Sequence, residues 1–150
     1  MVSERALTDD VARAAIDLPV TPLEVWRLLV DRSAWWPELA FDAVSGSPLR
    51  ETWTEDGRTF EALGRVVAVD PPRHLSFEWT EPGWSAFLTV AITVEPAAAG
   101  AAVTVTEQGF IRIGAEEGLR LEHEAGWQQH LVRLRGASIE AARSRRGPQR

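Results

Sequence analysis

The chain contains no cysteine, lysine, asparagine or tyrosine among its 150 residues. Without cysteine it forms no disulfide, thiolate metal ligand or thiol nucleophile, and without lysine it forms no Schiff base. Long apolar runs are also missing, because no stretch reaches the roughly 18 apolar residues of a membrane-spanning helix. The formal net charge of -6 argues against nucleic acid or an anionic membrane as a partner. We expect a cytoplasmic protein that binds neither nucleic acid nor a membrane.

The length and the two ends of the chain predict one domain. A domain of this size buries about 70% of its unfolded surface. The first ten residues, MVSERALTDD, are polar and lack the apolar run of a signal peptide. The last residues, ARSRRGPQR, are basic. We expect a flexible segment at 1–10, a folded domain at 11–143 and a basic tail at 144–150.

The first part of the domain predicts a strand followed by helices. The strand covers roughly residues 11–18. Thr21 then has the position of a helix N-cap, with a proline directly after it and Glu24 in place to complete a capping box. A second short helix is predicted to carry Trp35 and Trp36, with Pro37 ending it. Two short helices therefore follow the first strand.

The middle of the chain reads as an antiparallel meander. Apolar and polar residues alternate in short runs between residues 49 and 108, separated by turn sequences such as Glu55-Asp56-Gly57. The pattern predicts about six strands, with a bulge near Gly64, where the alternation is irregular. A long helix from about Ala115 to Arg143 closes the chain. Strands bounded by helices are typical of an α+β arrangement in which this last helix covers the concave face of the sheet.

One face of the closing helix is wide enough to lie across a sheet. It combines large and small residues at helical spacing, which favours a helix that encloses a cavity. Its members are Leu119, His123, Gly126, Trp127, His130, Leu131, Leu134 and Ala137.

Four segments resemble, in order and spacing, the signature blocks of the SRPBCC (START-like, helix-grip) superfamily. They are VARAAIDLPVTPLEVWRLLVD, GRVVAVDPPRHLSFEW, AVTVTEQGF and GWQQHLVRL, and together they extend over about residues 11–142. The most similar branch is named after the C-terminal domain of the activator of heat-shock protein ninety ATPase. The resemblance implies a helix-grip (Bet v-like) fold, in which a curved antiparallel sheet wraps around a long C-terminal helix and leaves a deep apolar pocket between them. It does not fix a function, since relatives include lipid carriers, receptors, cyclases and antibiotic-sequestering proteins.

Seven tryptophans make an aromatic-lined pocket the main prediction for a site. Indole rings give a planar ligand broad apolar contact, although several of these residues could equally be ordinary core. The predicted pocket residues come from the inward faces of the strands and of the last helix. They are Trp35, Trp36, Trp53, Phe77, Trp79, Val90, Glu107, His123, Trp127 and Leu131.

Glu107 is the one carboxylate that strand parity places among inward-facing valines. A buried carboxylate is costly unless it is paired, so Glu107 either serves a ligand or forms an ion pair, for example with Arg13 or Arg65. Glu107 and His123 are the only candidates for acid–base catalysis, and both are weak. His123 and His130 lie seven residues apart on the helix, about 10 Å along its axis, which is too far to bind one metal ion. We expect no metal and no cofactor.

These observations favour binding of a hydrophobic or polycyclic small molecule without chemistry. The alternatives are an enzyme of the cyclase, dehydratase or hydrolase type, and a regulator of a chaperone ATPase. The last is less favoured, because the activator that names the branch carries a further N-terminal domain for which this chain has no room.

The closing helix also carries a second, narrower apolar stripe opposite its sheet-facing side. Leu121, Val132 and Ile139 are its largest members, and Gly136 lies among them. Such a stripe predicts a weak homodimer, although scattered surface apolar residues would give the same pattern.

Overall fold

A computed structural model describes residues 10–146, which form a seven-stranded antiparallel sheet and two helices. In chain order the elements are β1 (Val11–Leu18), α1 (Pro22–Val30), β2 (Leu39–Phe41), β3 (Pro48–Glu55), β4 (Arg58–Asp70), β5 (His74–Thr80), β6 (Leu88–Ala97), β7 (Gly100–Gln108) and α2 (Glu117–Arg146). The order across the sheet is β1-β7-β6-β5-β4-β3-β2, so β1 and β2 are its two edges. The curved sheet stays open, and α2 lies against it. This confirms the predicted helix-grip fold.

The start of α1 follows from local sequence. The Thr21 hydroxyl accepts a hydrogen bond from the Glu24 amide, and the Glu24 carboxylate accepts one from the Thr21 amide. This capping box satisfies two amides that the helix leaves unpaired. The helix buries Val25, Trp26 and Leu29 in the core. The prediction for this helix is confirmed.

The predicted second short helix is wrong. Residues 33–35 form a turn, in which the amides of Trp35 and Trp36 both reach the carbonyl of Arg32 at 3.1 and 2.7 Å. The buried Arg32 side chain donates to the carbonyls at the end of α1 and to those of Leu39 and Phe41 in β2. The bonds to β2 fix the backbone in a path that a further helical turn would break.

The predicted bulge lies slightly further along β4. The register between β4 and β5 shifts between Val66 and Ala68, whereas Gly64 pairs regularly with Trp79. Gly64 has a different role, because a Cβ at this position would lie 1.8 Å from the carbonyl oxygen of Glu78. Only glycine permits this close approach of β4 to β5.

The long helix packs its predicted face onto the sheet, most closely against β1. Trp127, Leu131 and Leu134 are buried, together with Ser138, whose hydroxyl donates to the carbonyl of Arg135 at 2.7 Å. The opposite stripe faces outward, with Leu121 and Val132 exposed by 50% and 58%. Within residues 10–146, neither helix is long and apolar enough to cross a membrane.

The segments predicted to flank the domain, 1–10 and 144–150, lie mostly outside the part of the chain that the structure describes. Residues 1–9 and 147–150 are outside it. Asp10 precedes β1 and accepts hydrogen bonds from the amides of Gly109 and Ile111. Residues 144–146, assigned to the tail, belong to α2.

Candidate ligand-binding cavity

A cavity of about 250 Å³ lies between α2 and the strands β3, β4 and β5, near the turn that follows β5. Its walls are aromatic and acidic, with two histidines contributed by α2. The lining residues are Glu51, Trp53, Ala62, Trp79, Glu81, Trp84, Glu122, His123, Gly126, Trp127 and His130. Gly126 has no atom within 4 Å of where a Cβ would stand, so its lack of a side chain leaves space in this wall.

Glu107 lies fully buried behind the cavity. Neither Arg13 nor Arg65, the partners that the sequence suggested, is bonded to it. Its Oε2 accepts a hydrogen bond of 2.7 Å from the Trp79 indole, and its Oε1 accepts one of 2.8 Å from the Trp127 indole. Oε1 also lies 2.9 Å from Nδ1 of His123. The carboxylate is therefore satisfied by three N–H groups. The predicted alternative of an ion pair with Arg13 or Arg65 is wrong, because Arg65 pairs with Glu78 and no bond joins Arg13 to Glu107.

The indoles around Glu107 form one cluster. Trp79 and Trp127 stack with ring centroids 5.9 Å apart, and Trp36 meets Trp127 edge to face at 5.4 Å. Such ring contacts stabilise a fold by more than the burial of their apolar area alone would. Because Trp79 and Trp127 share one carboxylate, β5 and α2 are joined at this point by both ring contact and hydrogen bonds.

His123 is held at the cavity wall by its bond to Glu107. Burial lowers its pKa, but the hydrogen bond and charge of Glu107, with the charges of Glu81 and Glu122, outweigh burial and raise the pKa above its ordinary value. A carboxylate can only accept a hydrogen bond, so Nδ1 of His123 is the donor in this one. Nε2 is then the ring nitrogen that can exchange a proton with a bound molecule.

Three further carboxylates line the cavity, and burial raises the pKa of two of them, Glu51 and Glu81. For Glu51 the pKa reaches about 7, since the charges of Glu38, Glu81 and Glu107 add to burial while a hydrogen bond from Trp36 opposes it. Burial also raises the pKa of Glu81, and His123 opposes that shift. The cavity therefore holds one carboxyl group, that of Glu51, that changes charge near neutral pH.

His130 has no such partner. Its ring stacks on Trp36 with centroids 3.8 Å apart, and its Nδ1 is buried without a hydrogen bond. Burial, together with the charge of Arg133, lowers the pKa of His130 to about 4. The ring is therefore neutral at pH 7.

An open groove continues outward from the cavity. It has a volume of about 590 Å³, and shares Glu51, Trp53 and His130 with the cavity. Trp36 also lines this groove. A molecule too large for the cavity would extend in this direction.

A larger surface hollow of about 660 Å³ lies over the connection between α1 and β3. Among the charged residues that line it is Arg32, whose Nε, Nη1 and Nη2 all donate to backbone carbonyls. The guanidinium also stands 3.7 Å from the centre of the Phe41 ring. The arginine therefore supports the fold here, and we place the candidate site in the aromatic cavity instead.

The structure brings together most, but not all, of the predicted pocket residues. Trp53, Trp79, His123 and Trp127 line the cavity, Trp36 lines the groove, and Glu107 lies directly behind. Phe77, Val90 and Leu131 are packed in the core and do not line it. Trp35 faces another hollow, next to α2, and donates its indole N–H to the carbonyl of Leu28. In a sheet this curved, strand parity identifies the concave face but not which part of it stays unfilled.

Sequence reasoning missed Glu81 and Trp84 altogether. Both lie in the turn between β5 and β6, where no alternation indicates which way a side chain points. Glu51 was detectable, since it shares strand parity with Trp53. His130 lies on the predicted inner face of α2, but only the structure reveals its unpaired nitrogen.

Residues 19–138 match the family described as Activator of Hsp90 ATPase homolog 1-like protein. The match extends over well more than half of the sequence, and the chain belongs to this family. No curated protein matches the sequence.

The structure is also similar to solved structures of the same fold. Protein CV1439 from Chromobacterium violaceum is 20% identical, with a TM-score of 0.72 over 86% of this chain and 96% of that one. Protein MLL2253 from Mesorhizobium loti is 18% identical, with a TM-score of 0.69 over 87% and 97%. DynU16, a protein of the dynemicin biosynthetic locus, is 26% identical, with a TM-score of 0.68. The alignment covers 84% of this chain but only 46% of DynU16.

Proposed function

We propose that the protein binds a hydrophobic small molecule with one or more aromatic rings in the cavity between the sheet and α2. The observation that carries the proposal is a cavity of about 250 Å³ with four indoles in its wall. Small-molecule sites typically enclose about 300–1,000 Å³, so the cavity takes one or two rings and a polycyclic ligand extends into the groove. The place of the similar protein DynU16 in a biosynthetic locus agrees with a small-molecule ligand.

Native mass spectrometry of protein purified from its own cells tests this proposal. We expect a mass above that of the chain, which disappears on denaturation and corresponds to an aromatic compound. A matched variant, Ala62→Trp, fills the cavity from β4 and should lose the added mass while remaining folded. Retention of the compound by Ala62→Trp would place its site elsewhere.

The Glu107–His123 pair favours a second candidate function, in which the protein is an enzyme that acts on the bound molecule. A histidine oriented through Nδ1 by a buried carboxylate leaves Nε2 to move a proton, as general acid–base catalysis requires. The variant to use is His123→Gln, because Glu107 also holds two indoles. A compound that both proteins bind, but only the wild type converts, would make the protein an enzyme.

A further inference from the structure

We propose that the ligand carries a protonated amine, which the cavity places among its carboxylates while the aromatic part of the ligand packs on the indoles. This inference rests on the proposed function, because it assigns a chemical class to the ligand of the same cavity.

The charges of the wall are the first argument. Glu51, Glu81 and Glu122 all line the cavity, and none of the arginines whose side chains the structure describes does. The cationic form of His123 is already neutralised by Glu107, 2.9 Å from its Nδ1. The surplus charge available to a ligand is therefore negative, and it attracts a cation into a space where water screens charges poorly.

Three of the four indoles of the wall point the same way. The indole N–H groups of Trp79 and Trp127 are taken by Glu107, and that of Trp53 is taken by Glu55 at 3.0 Å. None of these three rings has a donor left for an anionic ligand, so what each can offer is its face. The electron-rich face of tryptophan attracts ammonium groups, and the carboxylates supply the acceptors that an ammonium requires.

The groups around Glu51 determine how this site responds to pH. The Glu51 carboxyl group is faced by Glu38 from the segment before β2, Glu81 from the turn after β5, and Glu107 from β7. His130 and Arg133 from α2 line the groove on its open side.

Because the pKa of Glu51 is about 7, a bound ammonium has to displace a proton from it below that pH. His123, whose pKa is also raised, loses its positive charge as the pH rises. Both changes strengthen amine binding at higher pH, while an alkylamine with a pKa near that of lysine, about 10, stays protonated.

Isothermal titration calorimetry with three probes of one shape tests the inference. The probes are 2-(1-naphthyl)ethylamine, 2-(1-naphthyl)ethanol and 1-naphthylacetate. At pH 8 we expect the amine to bind at least about tenfold more tightly than the alcohol, the scale of one charge-assisted hydrogen bond, and the acetate to bind more weakly than either. Between pH 6 and pH 8 the amine affinity should rise about tenfold, following the ionised fraction of a carboxyl group of pKa about 7, while the alcohol affinity stays constant.

The variant Glu51→Gln/Glu81→Gln should bring the ratio of amine to alcohol affinity close to one. Glu95→Gln is the matched control, because Glu95 is exposed on β6 and does not line the cavity, and it should leave the ratio unchanged. Equal binding of amine and alcohol by the wild type, or tighter binding of the acetate, would overturn the inference and leave the cavity as a binding site. Failure of all three probes to bind would overturn the proposed function itself.

Discussion

Glu107 is the single residue on which most of the cavity wall depends. Its carboxylate, although fully buried, accepts from Trp79, Trp127 and His123, so it joins β7 to β5 and to α2. A buried charge is tolerated when N–H groups replace the water that it has lost. The same three bonds hold two indoles and one imidazole in fixed orientations, so the shape of the cavity follows from one acceptor.

Glu107→Gln should therefore destabilise the fold although it preserves the size of the side chain. A glutamine offers one carbonyl oxygen and one NH₂ group, while three donors point at this position. At least one donor then loses its acceptor, at a cost of about 1–3 kcal/mol in the free energy of unfolding. Urea denaturation at pH 7 measures this loss in the free energy of unfolding. The exposed Glu95→Gln should change stability by no more than about 0.5 kcal/mol, and equal stability of the two variants would contradict this account of Glu107.

Glu51 should make the fold less stable as the pH rises. Its pKa is about 7 in the folded protein against an ordinary value of 4.5. A carboxyl group whose folded pKa is raised contributes stability below its unfolded pKa and loses it as the pH rises through the folded pKa. Between pH 4.5 and pH 8 we expect a loss on the order of 1–3 kcal/mol from this group.

In Glu51→Gln this loss should disappear. An amide oxygen can still accept from Trp36, so the variant should match the wild type near pH 5 and exceed its stability at pH 8. Thermal unfolding across that range measures the difference. A constant difference between the two proteins at every pH would show that folding does not raise the pKa of Glu51.

Among the elements, the pairing of β4 with β5 has the least room for change. The missing side chain of Gly64 lets the two backbones meet where Trp79 turns into the cavity. Gly64→Ala places a methyl group against the Glu78 carbonyl, and overpacking of this kind should cost about 3 kcal/mol.

Gly136→Ala in α2 is the matched control for this substitution. Apart from the adjoining backbone of α2, no atom of the described residues lies within 4 Å of its Cβ position, and alanine is the better helix former, so the variant should gain up to about 1 kcal/mol. Chemical denaturation of both variants measures the difference in their free energies of unfolding. A Gly64→Ala protein as stable as the wild type would mean that the strands separate there at little cost.

Elements were predictable from sequence where their signals are local. Thr21 and Glu24 lie three residues apart and determine the start of α1 by themselves. The turn carrying Trp35 was not predictable, because Arg32 bonds to carbonyls that β2 brings to it. For the cavity, the inward direction of Glu107 followed from alternation, but its bond to Trp79, 28 residues away, depends on the register of three strands.

At the scale of the whole molecule, the outward face of α2 exposes two large apolar side chains, those of Leu121 and Val132. Val132 lies near the middle of the helix, and Ala125 and Ile139 each lie seven residues from it. Two copies packed antiparallel about Val132 would therefore match apolar positions with one another. They would also bring acidic residues such as Glu122 near the basic C-terminal half around Arg143.

We propose on this basis that the protein forms a weak, concentration-dependent homodimer through Leu121, Val132 and Ile139. Sedimentation velocity at several concentrations should show a shift from monomer towards dimer. Val132→Glu should abolish the shift, whereas Val44→Glu, at a loop residue with 62% exposure, should not. A monomer at every concentration, or a dimer that survives Val132→Glu, would contradict the proposal.

The indole cluster also has an optical consequence. Trp79 and Trp127 stack at 5.9 Å with Trp36 beside them, and chromophores held this close and at fixed angles share their electronic excitation. Their coupling adds a pair of bands of opposite sign to the far-ultraviolet circular dichroism, on top of the signal from the peptide groups. Helix and strand contents taken from that spectrum will therefore be in error. The same bands report whether the interior of the protein keeps its geometry, without any label.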